Sequence, residues 1–270
     1  MMSDFMDCVV WNVRGAGGQV LPRLLQNFKK QYGVAFMALL EPRQQGSKAR
    51  TLARRLKMEH CEVVEAQGYN GGIWCFWDAT INFQVLARTE QALHGIFNAG
   101  SSNEVCLTIV YGKPNRCIRD RLWSDLRSFS THITKPWCII GDFNATLHVG
   151  DQVSKNINTM GVDLQFQRLV DDLDLAEMEF YGPRFTWSNN GCFSRIDMAL
   201  MNEEWRRKFP NSSVMHLPKF KSDHTPLLLR TLEKVNDRRS RSNIFRFFAP
   251  WVTHEEFSKF VKGAWNTSLS

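Results

Sequence analysis

No stretch of the 270-residue chain approaches the roughly 18 uncharged apolar residues of a membrane span, and its longest apolar runs, such as Gly72 to Trp77, are strand-sized. The chain therefore reads as one that does not enter a membrane. Met1 to Cys8 carries Asp4 and Asp7 and no basic segment ahead of its short apolar run, so it lacks the pattern of a secretory signal. Synthesis in the cytosol and an intracellular location are the expectation. Paired cysteines are missing too: Cys8, Cys61, Cys75, Cys106, Cys117, Cys138 and Cys192 are odd in number, scattered and free of any CxxC spacing. Reduced core thiols are expected, and no His and Cys set has the spacing of a zinc site. No repeat recurs at a period of roughly 20 to 50 residues, and Gly71-Gly72 carries no nucleotide-loop signature.

What is present is the composition of an ordinary globular protein, 43% hydrophobic, 12% aromatic and 23% charged. The formal net charge of +7 makes a polyanion a favoured partner class. Short apolar runs at Asp7 to Asn12, Val34 to Glu41, Gly72 to Trp77, Glu104 to Tyr111, Trp137 to Asp142, Arg195 to Met201 and Thr225 to Arg230 read as strands. Between them lie helical faces: Ala49, Leu52, Ala53 and Leu56; Leu122, Leu126, Phe129 and Ile133; Val162, Phe166, Leu169 and Leu173. Many strands with interspersed helices suggest a mixed layered sandwich rather than a regular parallel series. The apolar alternation stops after Leu232, and a charged stretch containing Lys234, Arg238, Arg239 and Arg241 follows. Residues 1–232 are thus expected to form one domain. Residues 233–270, with Phe247, Phe248, Trp251, Phe257 and Phe260, read as a charged linker and the start of a helical segment leading to another module.

The polar residues have a pattern of their own. Asn12, Glu41, Tyr111, Asp142 with Asn144, Asp197, and Asp223 with His224 all end or follow an apolar run. Singly, a strand-end Asp or Asn is more often a turn former than a catalyst. Together, carboxylates, amides and a histidine at the ends of several strands can line one polar cleft. The segments Trp11-Asn12-Val13-Arg14-Gly15, Leu39-Leu40-Glu41, Tyr111-Gly112-Lys113-Pro114-Asn115, Gly141-Asp142-Phe143-Asn144, Arg195-Ile196-Asp197 and Ser222-Asp223-His224 resemble, in that order, the motifs of the endonuclease/exonuclease/phosphatase family. The resemblance covers about residues 5–232. Within the family, Trp11 to Gly17, Phe185-Thr186-Trp187-Ser188-Asn189-Asn190 and Leu217-Pro218 ahead of Ser222 to Leu229 are most similar to the endonuclease domain of plant non-LTR retrotransposons.

This resemblance implies a four-layer α/β sandwich, two packed mixed β-sheets with helices on the outer faces. It implies a metal-dependent phosphodiester hydrolase, a DNA endonuclease nicking target DNA for a retrotransposon, with a reverse transcriptase module of a longer polyprotein as a further partner. The location would be the nucleus if the chain acts on host DNA. A phosphatase of the same fold acting on inositol phosphates or other phosphoesters, or a catalytically idle nucleic-acid-binding relic, are the alternatives. Mg²⁺, with Mn²⁺ as a substitute, is a hard cation that asks for only one or two carboxylates. Glu41 is the first candidate ligand, with Asn12 beside it and Asp223 assisting. By resemblance, His224 sits at the scissile phosphate with Asp197 orienting its ring, Asp142 orients or deprotonates water, Asn144 holds a phosphate oxygen and Tyr111 donates a hydrogen bond. Position 14 is Arg where repair endonucleases of the family carry an Asp that helps hold the metal, which argues against abasic-site repair and implies weaker metal binding. Retroelement members often have Arg there. Arg54 and Arg55 are candidate DNA contacts, as are Arg206, Arg207 and Lys208, although a solvated helix face explains such runs equally well.

Overall fold

The computed structural model describes residues 7–66, 71–154, 161–231 and Phe257. In chain order the elements begin with β1 (Cys8–Asn12), α1 (Leu21–Tyr32), β2 (Phe36–Leu40), α2 (Gly46–Leu56), β3 (His60–Val64), β4 (Ile73–Trp77), β5 (Phe83–Arg88) and β6 (Ala92–Phe97). There follow β7 (Val105–Tyr111), α3 (Arg116–Ser130), β8 (Trp137–Asp142), β9 (Gln152–Val153), α4 (Leu164–Asp172), β10 (Ala176–Glu177) and β11 (Phe180–Tyr181). The last are β12 (Trp187–Asn189), β13 (Cys192–Ser194), β14 (Asp197–Met201), α5 (Glu203–Lys208), β15 (Ser213–His216) and β16 (Leu227–Arg230). Each long apolar run of the sequence is a strand. Helix α1 and strands β5, β6 and β15 carry no equally plain signal, because their apolar residues are interrupted by basic or polar ones.

The strands form a seven-stranded sheet ordered β11-β15-β16-β1-β2-β4-β3, a six-stranded sheet ordered β10-β14-β8-β7-β6-β5, and a small sheet ordered β12-β13-β9. Both large sheets are mixed, with β1 parallel to β2 and β7 parallel to β8 at their centres and antiparallel neighbours around them. The central strands read as unbroken apolar runs because both of their faces are covered. Cys8, Val10, Ala38, Leu40, Cys75, Leu107, Ile109, Cys138, Ile140 and Leu227 fill the layer between the sheets. The alternate residues of β7 and β8 face outward, where Val110 and Ile139 meet Leu122, Trp123 and Leu126 of α3 and Phe166 and Leu169 of α4. On the other side α1 buries Leu24, Leu25 and Phe28, and α2 buries Ala49, Leu52, Ala53 and Leu56. Helix, sheet, sheet, helix is the four-layer α/β sandwich expected from the sequence.

The chain divides into two units, Met1–Glu233 and Lys234–Ser270. The expected domain boundary at 232 and the tail aromatics other than Phe257 lie outside the described residues. Among the described residues no helix is long and apolar enough to cross a membrane. All seven cysteines are free. Burial pushes the Cys75 and Cys138 thiols well up, the signature of inert core filling rather than reactive sulfur.

Candidate active site

Side chains alternate across a strand, so the residue ending an inward-facing series points between the sheets. Cys8 and Val10 face the inter-sheet layer and Asn12 continues their side; Leu107 and Ile109 lead to Tyr111, and Cys138 and Ile140 lead to Asp142. Strand β14 runs antiparallel to β8, and its first residue, Asp197, lies directly opposite Asp142. Strand β16 is antiparallel to β1, with Val10 opposite Leu227, which brings the preceding His224 beside the end of β1. The apolar strands thus deliver their polar last or first residues to one rim of the sandwich, where a cleft of about 590 Å³ opens. Asn12, Arg14, Glu41, Tyr111, Asn144 and His224 all line it.

Behind the cleft lining, where His224 reaches it, three ionisable groups are packed together. His224 Nδ1 meets both oxygens of Asp197 at 3.1 and 3.0 Å and lies 3.8 Å from Asp142 Oδ2. Asn12 Nδ2 donates to Asp142 Oδ2 at 2.8 Å, and the Asn144 backbone N–H donates to Asp142 Oδ1 at 2.8 Å. Burial and the charge of Asp197 raise the Asp142 carboxyl to about 7, against the opposing pull of His224 and its hydrogen bonds. For His224 burial acts downward but is outweighed by Asp197 and Asp142, and its imidazole rises to about 9. Burial, together with Glu41 and Asp142, pushes the Tyr111 phenol well up and keeps it a neutral hydroxyl.

Two glycines allow this approach. A Cβ on Gly141, at φ +150, would lie 2.1 Å from the Val110 carbonyl oxygen, and one on Gly112 would lie 2.3 Å from the Phe143 carbonyl oxygen. Arg14, Glu41 and Asn144 adopt φ of 43, 53 and 47°, a left-handed conformation uncommon for such residues and concentrated at functional sites. The loops after β1 and β2 are stitched by Gly15 N–H donating to the Glu41 carbonyl at 2.9 Å and Ala16 N–H donating to Pro42 at 2.7 Å.

The expected metal residues separate. Glu41 is buried, with Oε1 accepting from Arg43 Nε at 3.0 Å and Oε2 3.8 Å from Arg14 Nε. The Asn12 carboxamide oxygen accepts the Arg14 backbone N–H at 3.0 Å and keeps a second lone pair. One carboxylate and one amide oxygen on adjacent parallel strands, with cleft-lining side chains, are a hard-oxygen donor set that fits a cation such as Mg²⁺. Asp223 is otherwise engaged: its Oδ2 accepts from Arg14 and from Trp187 Nε1 at 2.9 Å, and its buried Oδ1, without a hydrogen-bond partner among the described residues, stands 4.0 Å from His224 Nε2. Asp142, Asp197 and His224 present ligand atoms within 4.8 Å of one another. Those atoms are already bonded among themselves and to Asn12 and Asn144, so the trio is a proton-holding cluster before it is a metal cage.

Asn144 differs from its expected role, because its amide nitrogen donates to the Gly112 carbonyl at 2.7 Å and to Asp142 Oδ2 at 3.2 Å. One donation holds the Gly112 carbonyl and the other Asp142, so the amide nitrogen is engaged within the chain. Arg54 and Arg55 are not brought to the cleft. They occupy the exposed last turn of α2, which runs into β3; His60 pairs with Trp77 and Trp77 with Phe36, at the end of the sheet away from Glu41. Helix α5, with Arg206 and Arg207 paired to Glu203, follows the far end of β14. The arginines that line the cleft are instead Arg14, Arg116 and Arg119.

Three supporting side chains had no assigned role in the sequence. Thr186 Oγ1, fully buried, accepts the backbone N–H groups of Ile196 at 3.2 Å and Asp197 at 3.1 Å. Ser222 Oγ donates to the Asn12 carbonyl at 2.7 Å and accepts the His224 N–H at 3.1 Å. Trp187 anchors Asp223. A Ser two residues ahead of His224 is a local side-chain-to-backbone turn signal; Thr186 has no such mark.

The profile of the endonuclease/exonuclease/phosphatase family matches residues 9–224. Among solved structures, a 3′ phosphatase from Neisseria bound to a product DNA hairpin is 16% identical with a TM-score of 0.66, covering 85% of this chain and 100% of that one. The endonuclease domain of TRAS1, a telomere-specific non-LTR retrotransposon, is also 16% identical, with a TM-score of 0.61 and coverage of 85% and 100%. A mannosyl-6-phosphatase from Bacteroides thetaiotaomicron is 12% identical at a TM-score of 0.55, with coverage of 85% and 100%. A search of curated proteins returned no match.

Proposed function

The chain belongs to the endonuclease/exonuclease/phosphatase family, whose members are hydrolytic nucleases and phosphatases, and on that premise we propose that it is a divalent-metal-dependent DNA endonuclease of the retrotransposon type. The observation that carries the chemistry is the buried Asp142, Asp197 and His224 cluster, whose His224 lines a cleft that also presents Glu41 and Tyr111. The net charge of +7 and the retrotransposon-like motifs favour a nucleic acid over a small phosphoester. The DNA-bound Neisseria relative and the TRAS1 domain show that the same fold serves DNA in other proteins.

Glu41 and the Asn12 carboxamide oxygen would hold a divalent ion, which would supply charge neutralisation at the phosphate and acidity to water. The remaining work falls to the chain's own groups. Asp142, raised to about 7, has enough proton affinity to accept a proton from the attacking water near neutral pH while remaining partly ionised. Asn144 and Asn12 fix its two oxygens. His224, raised to about 9, is an imidazolium at neutral pH. Its Nδ1 hydrogen is held by Asp197, leaving Nε2 to donate to a phosphate oxygen as negative charge builds there. Tyr111 stays protonated and donates a second hydrogen bond, and Arg116, exposed at the cleft mouth, suits a neighbouring backbone phosphate.

Incubating the purified chain with supercoiled plasmid tests this reading. Nicking that requires Mg²⁺ or Mn²⁺, stops on chelation and returns on re-addition is the expected result. Nicking that persists in excess chelator removes the metal role. Release of phosphate from inositol phosphates without plasmid nicking replaces the nuclease with a phosphatase, and duplex binding without cleavage leaves an idle binder.

A further inference from the structure

Arg14 connects Glu41 to Asp223. Its Nη1 binds Asp223 Oδ2, its Nε lies 3.8 Å from Glu41 Oε2, and its backbone N–H donates to Asn12 Oδ1 at 3.0 Å. One residue therefore touches every group expected to hold the metal. Its side chain is about one-third exposed, at 37%, against 7% for Glu41, so of this pair the guanidinium is the more open to solvent. The left-handed backbone at Arg14 and the Gly15-to-Glu41 stitch hold it there. The trapped charge is permanent, since a guanidinium does not lose its proton in a protein.

We propose that Arg14 is a built-in cation of the metal centre, its guanidinium spanning Glu41 and Asp223 and competing with the divalent ion for Glu41. This rests on the metal site proposed above. Asp223 then neutralises Arg14 instead of ligating. Arg43 already pairs with Glu41 Oε1, from Nε at 3.0 Å, so a divalent ion is left with Oε2, and there it must push against the Arg14 guanidinium, whose Nε is 3.8 Å away. In a half-buried cleft such repulsion shifts affinity by an order of magnitude. The device makes metal occupancy conditional: the phosphate of a bound substrate, by adding negative charge to the site, offsets Arg14 and draws the ion in.

The test is direct Mn²⁺ binding to the full chain without nucleic acid, followed by electron paramagnetic resonance of free Mn²⁺ and by calorimetry. Arg14→Ala is expected to bind Mn²⁺ on the order of tenfold more tightly than the native chain, although no ligand has been added. Arg14→Lys, which keeps the charge, should stay within about threefold. Circular dichroism establishes that both variants are folded; Arg14→Gln replaces Arg14→Ala if the latter is not. Unchanged or weaker binding in the uncharged variant overturns the proposal, as does tightening of equal size in Arg14→Lys. Glu41→Gln separates the two levels of the argument. If it abolishes native Mn²⁺ binding while Arg14→Ala fails to tighten it, only the role of Arg14 falls. If Glu41→Gln binds as well as the native chain, the metal site itself is wrong and the inference falls with it.

Discussion

His224 and Asp142 titrate in opposite functional senses although both are shifted upward. On the proposed mechanism, cleavage needs ionised Asp142 and so should rise with pH through about 7, and needs protonated His224 and so should fall through about 9. A bell-shaped profile of single-turnover rate against pH is expected. Asp197→Asn should move its alkaline limb towards neutrality, because the charge that raises His224 is gone. The stability sign for His224 follows the same shift. Its contribution is fully present below its ordinary value near 6.5 and is lost as pH rises through about 9. His224→Ala and Asp142→Asn should each lower single-turnover cleavage by about 10² to 10⁴ while leaving duplex affinity nearly unchanged, measured on the same oligonucleotide. Intact cleavage in His224→Ala would remove it from the mechanism.

Strand ends act as the carriers of this chemistry, and their spacing depends on a few backbone supports. Thr186, on the segment leading into β12, holds the first residue of β14 through the Ile196 and Asp197 N–H groups. Thr186→Val keeps the shape and removes the acceptor, which should cost about 1–3 kcal/mol for each buried N–H left unpaired, read by urea unfolding. Because Asp197 orients His224, the same variant should also lose cleavage beyond what its stability explains. Between β7 and β8 the close approach at Gly141 leaves no room for a methyl group. Gly141→Ala should destabilise by about 2–4 kcal/mol, through collision with the Val110 carbonyl and the forced φ. An unfolding curve superimposable on that of the native chain would contradict this.

For the molecule as a whole, charge distribution matters more than charge. The run containing Arg54 and Arg55 lies on the end of α2 away from the cleft, so neutralising both should leave the salt dependence of duplex binding essentially unchanged. Arg116→Ala, at the cleft mouth, should flatten the slope by about one counterion. The segment from 233 onward is proposed to be dispensable. A chain ending at residue 232 should melt within about 2 °C of the full one and nick at an equal rate, whereas a large fall in melting temperature would show that the tail is part of the fold.

The local pattern of the sequence carried much of this protein. Short apolar runs read as strands, and polar residues placed at their ends pointed to one polar cleft, because the ends of several packed strands can meet at one rim. The order of Asn12, Glu41, Tyr111, Asp142, Asp197 and His224 pointed to a phosphodiester chemistry before any contact was known. Only the tertiary structure decided who pairs with whom. Asp142 and Asp197 meet through strand register, Thr186 earns its role from a backbone 11 residues away, and Asp223 meets Arg14 across 209 residues of chain. Basic runs meet the same limit: a helix surface shows its charges in sequence but not the end of the sheet on which it finishes. Distances between elements depend on sheet order and direction, which no local pattern encodes.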